Sequence, residues 1–172
     1  MDPQVLRSLS YGMYIVSAAR NGILNGQVAN SVFQVCSQPP VVAACINRQN
    51  LTHEFIEASG AFSVSVLEQD TPLSFIGRFG FRSGRDLDKF EGVEHRMGST
   101  GAPVVVEHAV GYLETRVVDR LEVGTHTIFV GRLVDGAPLT DRPPMTYAYY
   151  HHVKGGKSPK TAPTYLPERE HP

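Results

Sequence analysis

Two short apolar segments on either side of a proline pair constrain the fold of this chain more than any other feature. Residues 28–36 and 41–46 are rich in Val and Cys. They are too short for most helices, so each predicts a β-strand. Gln38, Pro39 and Pro40 lie between them. Because proline has no N–H for a strand ladder, both prolines are expected in the connecting turn.

The second of these strands leads directly into a predicted helix. Asn50 and Thr52 are both candidate N-caps, and Glu54 falls in the first turn. The free amides at a helix N-terminus, together with Arg48 just before it, suit a phosphate group. An ordinary capped helix with a surface arginine would leave the same local pattern, so both interpretations stay open at this point.

The remaining elements follow from apolar alternation and turn residues. Strands outnumber helices, and most connections are too short for parallel pairing, so the pattern predicts a mainly β, antiparallel barrel with one or two packed helices. The predicted elements are a helical segment over 1–10, strands over 11–19, 61–67, 109–119 and 125–134, and helices over about 51–60 and 70–77. Turns are predicted over 20–22, at Asn25 and Gly26, and over 121–124, where the last two long strands form a hairpin.

Length and composition exclude several classes of protein. The 172 residues, 41% of them hydrophobic, fit one domain with a sizeable core. With 16 basic and 17 acidic residues the net charge is −1, which argues against a nucleic-acid surface. No apolar run is long enough to cross a membrane, and residues 11–19 resemble a strand more than an export signal. We therefore expect a cytoplasmic protein.

The two cysteines, Cys36 and Cys45, are too few for a structural zinc site. Free, buried thiols are expected in a chain without an export signal, although the sequence does not exclude a disulfide. His151 and His152 would point in opposite directions on a strand, so no metal site is expected there.

Two segments lack a clear period. Residues 78–101 begin with glycines, phenylalanines and arginines that suit an anion or an aromatic ring, or equally a solvated loop. Residues 1–150 are interpreted as the domain, and 151–172 as an extended tail that packs on the domain or on a partner chain. Tyr165 and Leu166 are the expected anchors of this tail.

Four segments, in order along the chain, resemble the flavin reductase family of FMN-binding split barrels. They are NGQVANSVFQVCSQPPVVAACINRQNLTHEFI, SGRDLDKFEGV, GTHTIFVGRLVD and YYHHVKGGKSPKTAPTY. The last is similar to the subgroup that includes flavoredoxins and the reductase part of high-molecular-weight rubredoxins. The resemblance implies a six-stranded antiparallel Greek-key barrel, a homodimer, and non-covalent FMN, or sometimes FAD.

The resemblance also implies a set of site residues. His126 would lie near the nicotinamide and act as the catalytic residue, or it is simply a half-buried strand histidine with a hydrogen bond. The implied flavin-binding residues are Gln27, Val28, Ala29, Asn30, Ser31 and Val32 at the ring, Cys45, Ile46 and Asn47 along the ribityl chain, Arg48, Asn50 and Thr52 at the phosphate, and Arg82 and Ser83 from a partner chain.

Three functions remain open from the sequence. The first is an FMN-dependent oxidoreductase that takes a hydride from NADH or NADPH and passes electrons to free flavin, a rubredoxin-like protein or another acceptor. The second is a flavoredoxin-type electron carrier without NAD(P)H activity, and the third a non-redox binder of a phosphate-bearing aromatic ligand. The four-cysteine iron domain of fused rubredoxins is absent, so a rubredoxin partner would be a separate protein. No GxGxxG fingerprint is present, so a nicotinamide would bind outside a Rossmann fold.

Overall fold

A computed structural model describes residues 2–165 of the chain. Seven strands form one antiparallel sheet in the order β2-β1-β5-β8-β9-β4-β3, and β6 and β7 form a separate pair. The elements are a 3-10 helix Pro3–Ser8, β1 Tyr14–Arg20, β2 Ile23–Ala29, β3 Val32–Ser37, β4 Pro40–Asn47, α1 Leu51–Ser59, β5 Ala61–Leu67, α2 Leu73–Gly80, β6 His95–Met97, β7 Pro103–Val105, β8 Ala109–Val123, β9 His126–Pro138 and α3 Tyr147–His152.

The mainly β, antiparallel fold with packed helices is confirmed. The large sheet has seven strands where the resemblance implied six. It curls so that β2, at one end of the strand order, lies against β4 near the other end. The helix α1 packs against β1, β2, β4 and β5. Within the described residues no helix has the length and apolar character needed to cross a membrane.

Several predicted boundaries were wrong, each for a local reason. Asn25 and Gly26, predicted as a turn, lie inside β2, because Asn21 and Gly22 already make the turn with positive φ angles. The predicted strand over 28–36 is therefore interrupted at residues 30–31 and divides into β2 and β3. Pro40 is the first residue of β4, where the missing N–H of proline is tolerated.

The C-terminal half also departs from the predicted pattern. The strands β8 and β9 are longer than predicted, and their hairpin turns at Gly124 rather than over 121–124. The segment predicted to be irregular, 78–101, contains β6. His151 and His152 lie on a helix, α3, whose N-cap Thr146 accepts a hydrogen bond from the Tyr149 N–H.

Two clusters of buried side chains form the core. One lies inside the curled sheet and includes Phe62, Ile46 and Phe129, together with Phe55 and Ile56 from α1. The other lies beneath α2 and reaches the aromatic α3. Beside the cluster inside the curled sheet, the buried imidazole of His53 forms a 2.8 Å hydrogen bond to the Thr127 hydroxyl. This bond ties the first turn of α1 to β9 and so fixes where the helix N-terminus lies.

The packing generates a paired prediction on stability. A Cβ at Gly131 would lie 2.8 Å from the Phe62 ring and 2.7 Å from the Thr115 hydroxyl. Gly131→Ala should therefore lower the free energy of unfolding by about 1–3 kcal/mol through overpacking. A Cβ at Gly77, within α2, meets nothing within 4 Å. Gly77→Ala should be neutral or stabilising by up to about 1 kcal/mol. Urea unfolding of both variants measures the difference, and equal changes would contradict this account of the core.

Candidate functional site

A cavity of about 400 Å³ lies where the end of β4, the start of α1, the strand β2 and the segment after α2 meet. Its volume is in the range of small-molecule sites. Ten of the residues predicted to bind flavin line it: Gln27, Val28, Ala29, Asn30, Cys45, Asn47, Asn50, Thr52, Arg82 and Ser83. Arg82 and Ser83 were expected from a partner chain, but here they line the cavity of their own chain.

Four predicted residues do not line this cavity. Ile46 is fully buried in the core, because side chains alternate along β4 and its neighbours Cys45 and Asn47 take the cavity side. Val32 is half-buried on β3. The Ser31 hydroxyl donates to the Asn30 Oδ1 at 3.1 Å. Arg48 is about half exposed and forms a 3.3 Å ion pair with Glu122 on β8.

The first turn of α1 supplies hydrogen-bond donors to the cavity. Asn50 is the N-cap by position, but its side chain makes no capping bond and donates instead to the Gln27 Oε1 at 3.1 Å. The Thr52 hydroxyl accepts a 2.8 Å bond from the Asn25 Nδ2, so its own proton is free to be donated. The N–H groups of a first helical turn have no partner within the helix. These donors together suit an acceptor-only group such as a phosphate.

Lys89 lines the cavity but was not predicted from the sequence. Its side chain is buried, and its ammonium donates to the carbonyls of Gly26 at 2.9 Å and Phe79 at 3.2 Å. Burial lowers the pKa of Lys89 to about 8. No ion pair among the described residues includes it. The sequence signal was weak, because a lysine beside two aspartates is typical of a solvated loop, and only the following Phe90 indicates burial.

A buried acceptor in the same region lacks a partner. The Oδ1 of Asn25 is buried and makes no hydrogen bond within the described chain. A Cβ at Gly84 would lie 2.1 Å from this oxygen, so only glycine lets the segment after α2 pass this close. Such an orphaned acceptor fits the hydroxyl of a ligand that enters the cavity.

The charges around the cavity all have one sign. Among the described residues, its lining contains Arg82, Lys89, Lys157 and Lys160 and no carboxylate. A cleft lined by cations attracts and holds an anion. The cavity is therefore suited to a ligand that combines an apolar body with at least one phosphate or carboxylate.

One wall of the cavity is formed by residues 157–163. We call residues 157–164 the strap. The described part of the tail, residues 151–165, contacts its own chain. The Asn30 Nδ2 donates to the Thr164 hydroxyl at 2.8 Å, and the Asn47 Nδ2 donates to the Thr161 carbonyl at 3.3 Å. The Tyr147 hydroxyl bonds to both Ser158 and Thr164. Leu166, a predicted anchor, lies outside the described residues.

A second, more open cavity of about 570 Å³ adjoins the first and contains His126. The His126 Nδ1 lies 2.9 Å from the Thr125 hydroxyl, while its Nε2 is buried and has no partner in the described part of the chain. Burial lowers the pKa of His126, and the Thr161 backbone opposes part of the shift. Residues 160–163 of the strap, together with Cys45 and Asn47, line both cavities.

The cysteines do not form a disulfide. Cys36 is exposed, contrary to the prediction of a buried thiol, and Cys45 is half-buried. Burial raises the pKa of the Cys45 thiol. Across residues 2–165, no three His, Cys, Asp or Glu side chains are grouped as metal ligands would be.

Two known proteins are similar in sequence to this chain over almost its whole length. The high molecular weight rubredoxin of Moorella thermoacetica is 51% identical over 99% of this chain and 74% of its own length. The ferric-chelate reductase (NAD(P)H) of Archaeoglobus fulgidus is 51% identical over 96% of this chain and 98% of its own.

Solved structures of flavin-related proteins have a similar fold. The NADH:FAD oxidoreductase of Streptomyces globisporus has a TM-score of 0.77 at 28% identity, covering 85% of this chain and 86% of that one. The flavoredoxin of Methanosarcina acetivorans has a TM-score of 0.70 at 26% identity, covering 78% and 74%. The model of the flavin reductase like domain matches residues 6–156, and the chain therefore belongs to the flavin reductase family.

Proposed function

We propose that this protein is an FMN-dependent oxidoreductase that takes a hydride from NADH or NADPH. It then passes electrons to free flavin, a rubredoxin-like protein or another acceptor. The observation that carries the proposal is the first cavity. Its lining among the described residues is cationic and free of carboxylates, and it draws on the family segments at 25–56, 83–93 and 149–165 together with Arg82. Family membership and the names of the relatives support it.

The residues present fit a flavin mononucleotide. The strand β2 lies at the end of the sheet order, so backbone groups on its outer edge have no ladder partner. Such groups can pair with the polar edge of an isoalloxazine ring, beside the amide of Asn30. The orphaned Asn25 Oδ1 suits a ribityl hydroxyl. FAD would share these contacts but would need further room for its adenylate.

The phosphate is proposed to lie at the start of α1. Thr52 and Ser83 offer hydroxyls there, and Arg82 and Lys89 offer charge. Arg48 remains a proposed phosphate contact. To reach the phosphate, its guanidinium must give up the ion pair with Glu122. Since a buried ammonium is screened less than an exposed guanidinium, Lys89 should contribute more than Arg48.

His126 is proposed to border the nicotinamide in the second cavity. Its unpartnered Nε2 can bond a carboxamide or a phosphate oxygen of the dinucleotide. It need not move a proton, because a hydride passes directly between two stacked rings. A bound flavin would supply the redox chemistry, and the side chains described here bind and orient the two ligands.

A homodimer is proposed from an exposed apolar face. Phe33, Leu121 and Val123 are more than half exposed. By register they share the outer face of strands β8, β9, β4 and β3 with Cys45 and His126. A second copy of the chain would cover this face and place its own residues near the second cavity.

A second candidate function is that of an electron carrier without nicotinamide activity. The strap lies between the two cavities, which favours this second function because a ligand in one cavity does not contact a ligand in the other. A carrier would need only the first cavity, with electrons entering and leaving through the protein surface.

The two functions are separated by one anaerobic experiment. The protein should purify yellow and release FMN in about equimolar amount. Under argon, NADH or NADPH should bleach the flavin absorbance of the oxidoreductase and leave that of a carrier unchanged, while dithionite, as the control, should bleach both. A colourless protein that takes up neither FMN nor FAD would contradict both functions.

The role of Lys89 is tested with two flavins. Lys89→Met keeps the apolar stem and should weaken FMN affinity by about 1.5–3 kcal/mol, the range for a bond to a charged group. Riboflavin, which lacks the phosphate, should change much less. Arg48→Ala, the exposed control, should cost about 1 kcal/mol or less and lose its effect at high salt. Titration by flavin fluorescence measures each affinity, and equal losses for FMN and riboflavin would contradict a phosphate contact.

The pH dependence of the same titration has a defined sign. The pKa of Lys89 is lowered to about 8, so the free protein loses this charge as pH rises through that value. A bound phosphate favours the protonated ammonium, so binding above this pH requires proton uptake and FMN affinity should fall. Riboflavin affinity in the wild type and FMN affinity in Lys89→Met should both lack this decline.

The assembly is tested by one charge placed on the apolar face. Leu121→Lys should shift a dimer towards monomers in sedimentation velocity, because an ammonium would be buried in the interface. Ile23→Lys is the control, since Ile23 is equally exposed on β2, away from this face. A wild type that is monomeric at micromolar concentration would remove the proposed interface.

A further inference from the structure

The strap separates the two cavities, although the proposed function requires a ligand in one to contact a ligand in the other. Residues 160–163 line the first cavity on one side and the second on the other. A flavin ring in the first cavity and a nicotinamide ring in the second would have the strap between them. Direct hydride transfer requires the two rings to be in contact.

Few interactions hold the strap in this position. Thr164 carries two of them through one hydroxyl, which bonds to Asn30 and to Tyr147. The remainder include the Ser158 hydroxyl and the Thr161 carbonyl. None of the residues 157–164 is buried, and none lies in a helix or strand. A segment with few buried apolar contacts opens locally at low free-energy cost.

The N-terminal end of the strap is fixed more firmly than the rest. The Tyr150 hydroxyl donates to the Lys157 carbonyl at 2.9 Å and accepts from its N–H at 3.2 Å. The Gly156 N–H bonds to the Tyr150 carbonyl, and a Cβ at Gly156 would collide with the Tyr150 ring. Opening of the strap would therefore pivot near Lys157 and move the residues after it.

We propose that the strap is a gate between the two cavities. Closed, it holds the amides of Asn30 and Asn47 and keeps the second ring away from the first. Open, it frees both amides and lets the nicotinamide ring reach the flavin ring. This inference rests on the proposed function, because only a hydride donor in the second cavity gives the gate a purpose.

Two lysines in the strap allow its opening to be measured by proteolysis. Trypsin can cleave after Lys157 and Lys160, and cleavage requires the segment to leave the surface. Lys154 lies before the pivot, and cleavage after it serves as an internal reference. The test uses Thr164→Val, which keeps the shape of the side chain and removes the hydroxyl, with Thr164→Ser as the matched control.

In FMN-loaded protein, Thr164→Val should speed cleavage after Lys160 by about fivefold to a hundredfold, the factor expected for losing two neutral hydrogen bonds. Thr164→Ser should match the wild type, and cleavage after Lys154 should not change. Saturating NAD⁺, which cannot reduce the flavin, should speed cleavage after Lys160 in the wild type because it holds the gate open. Slower cleavage with NAD⁺ would overturn the proposal.

Stopped-flow reduction by subsaturating NADH under argon provides the second readout. Thr164→Val should be reduced faster by the same factor as its cleavage, and Thr164→Ser should not. If NADH reduces the wild type but Thr164→Val changes neither rate, the gate is wrong and the proposed function stands. If NAD⁺ speeds cleavage but neither NADH nor NADPH reduces the wild type, the strap opens for a dinucleotide but the proposed function is wrong, and the gate for hydride transfer is wrong with it.

Discussion

The alternation of side chains along β4 is the constraint on which the rest of the structure depends. Ala44 and Ile46 point into the curled sheet and are fully buried. Cys45 and Asn47, between and after them, point outward and line both cavities. Because the period of a strand is two residues, a register shift of one would exchange these sets and place apolar side chains in the site. The core therefore fixes the chemistry of the cavities as well as the stability of the sheet.

The same strand also determines where α1 begins. The helix starts four residues after β4 ends, and two long-range contacts then fix it: His53 with Thr127 on β9, and Thr52 with Asn25 on β2. Both contacts are buried and connect residues far apart in sequence. The helix N-terminus is thus held between two strands, so its unpaired amides have a defined direction. A preorganised donor set of this kind loses little conformational freedom when an anion binds.

The sequence predicted the fold class, and ten of the fourteen residues that the family resemblance assigned to flavin line the cavity, because alternation and turn residues are local signals and the matched segments are contiguous. Asn25 and Gly26 misled the prediction, since a residue pair typical of turns can lie inside a strand when its amide has a buried partner. Arg48 looked free for a phosphate because nothing local indicates Glu122, which is distant in sequence. Lys89 was not predicted, and the tail was expected to pack on the domain or on a partner chain without its place at the cavity, since burial of a lysine and the path of an aperiodic tail are set by tertiary contacts alone. Natural sequences break local rules most often where they bind ligands.

The position of β2 at the end of the strand order has a further consequence. An edge strand presents unpaired backbone groups that can join another chain and start aggregation. Here the Lys89 ammonium donates a hydrogen bond to the Gly26 carbonyl. The segment after α2 and the strap lie beside the rest of this edge. The binding site and the protected edge are the same stretch of backbone. Loss of these covering segments would therefore make the protein self-associate through β2, so its solubility depends on an intact site.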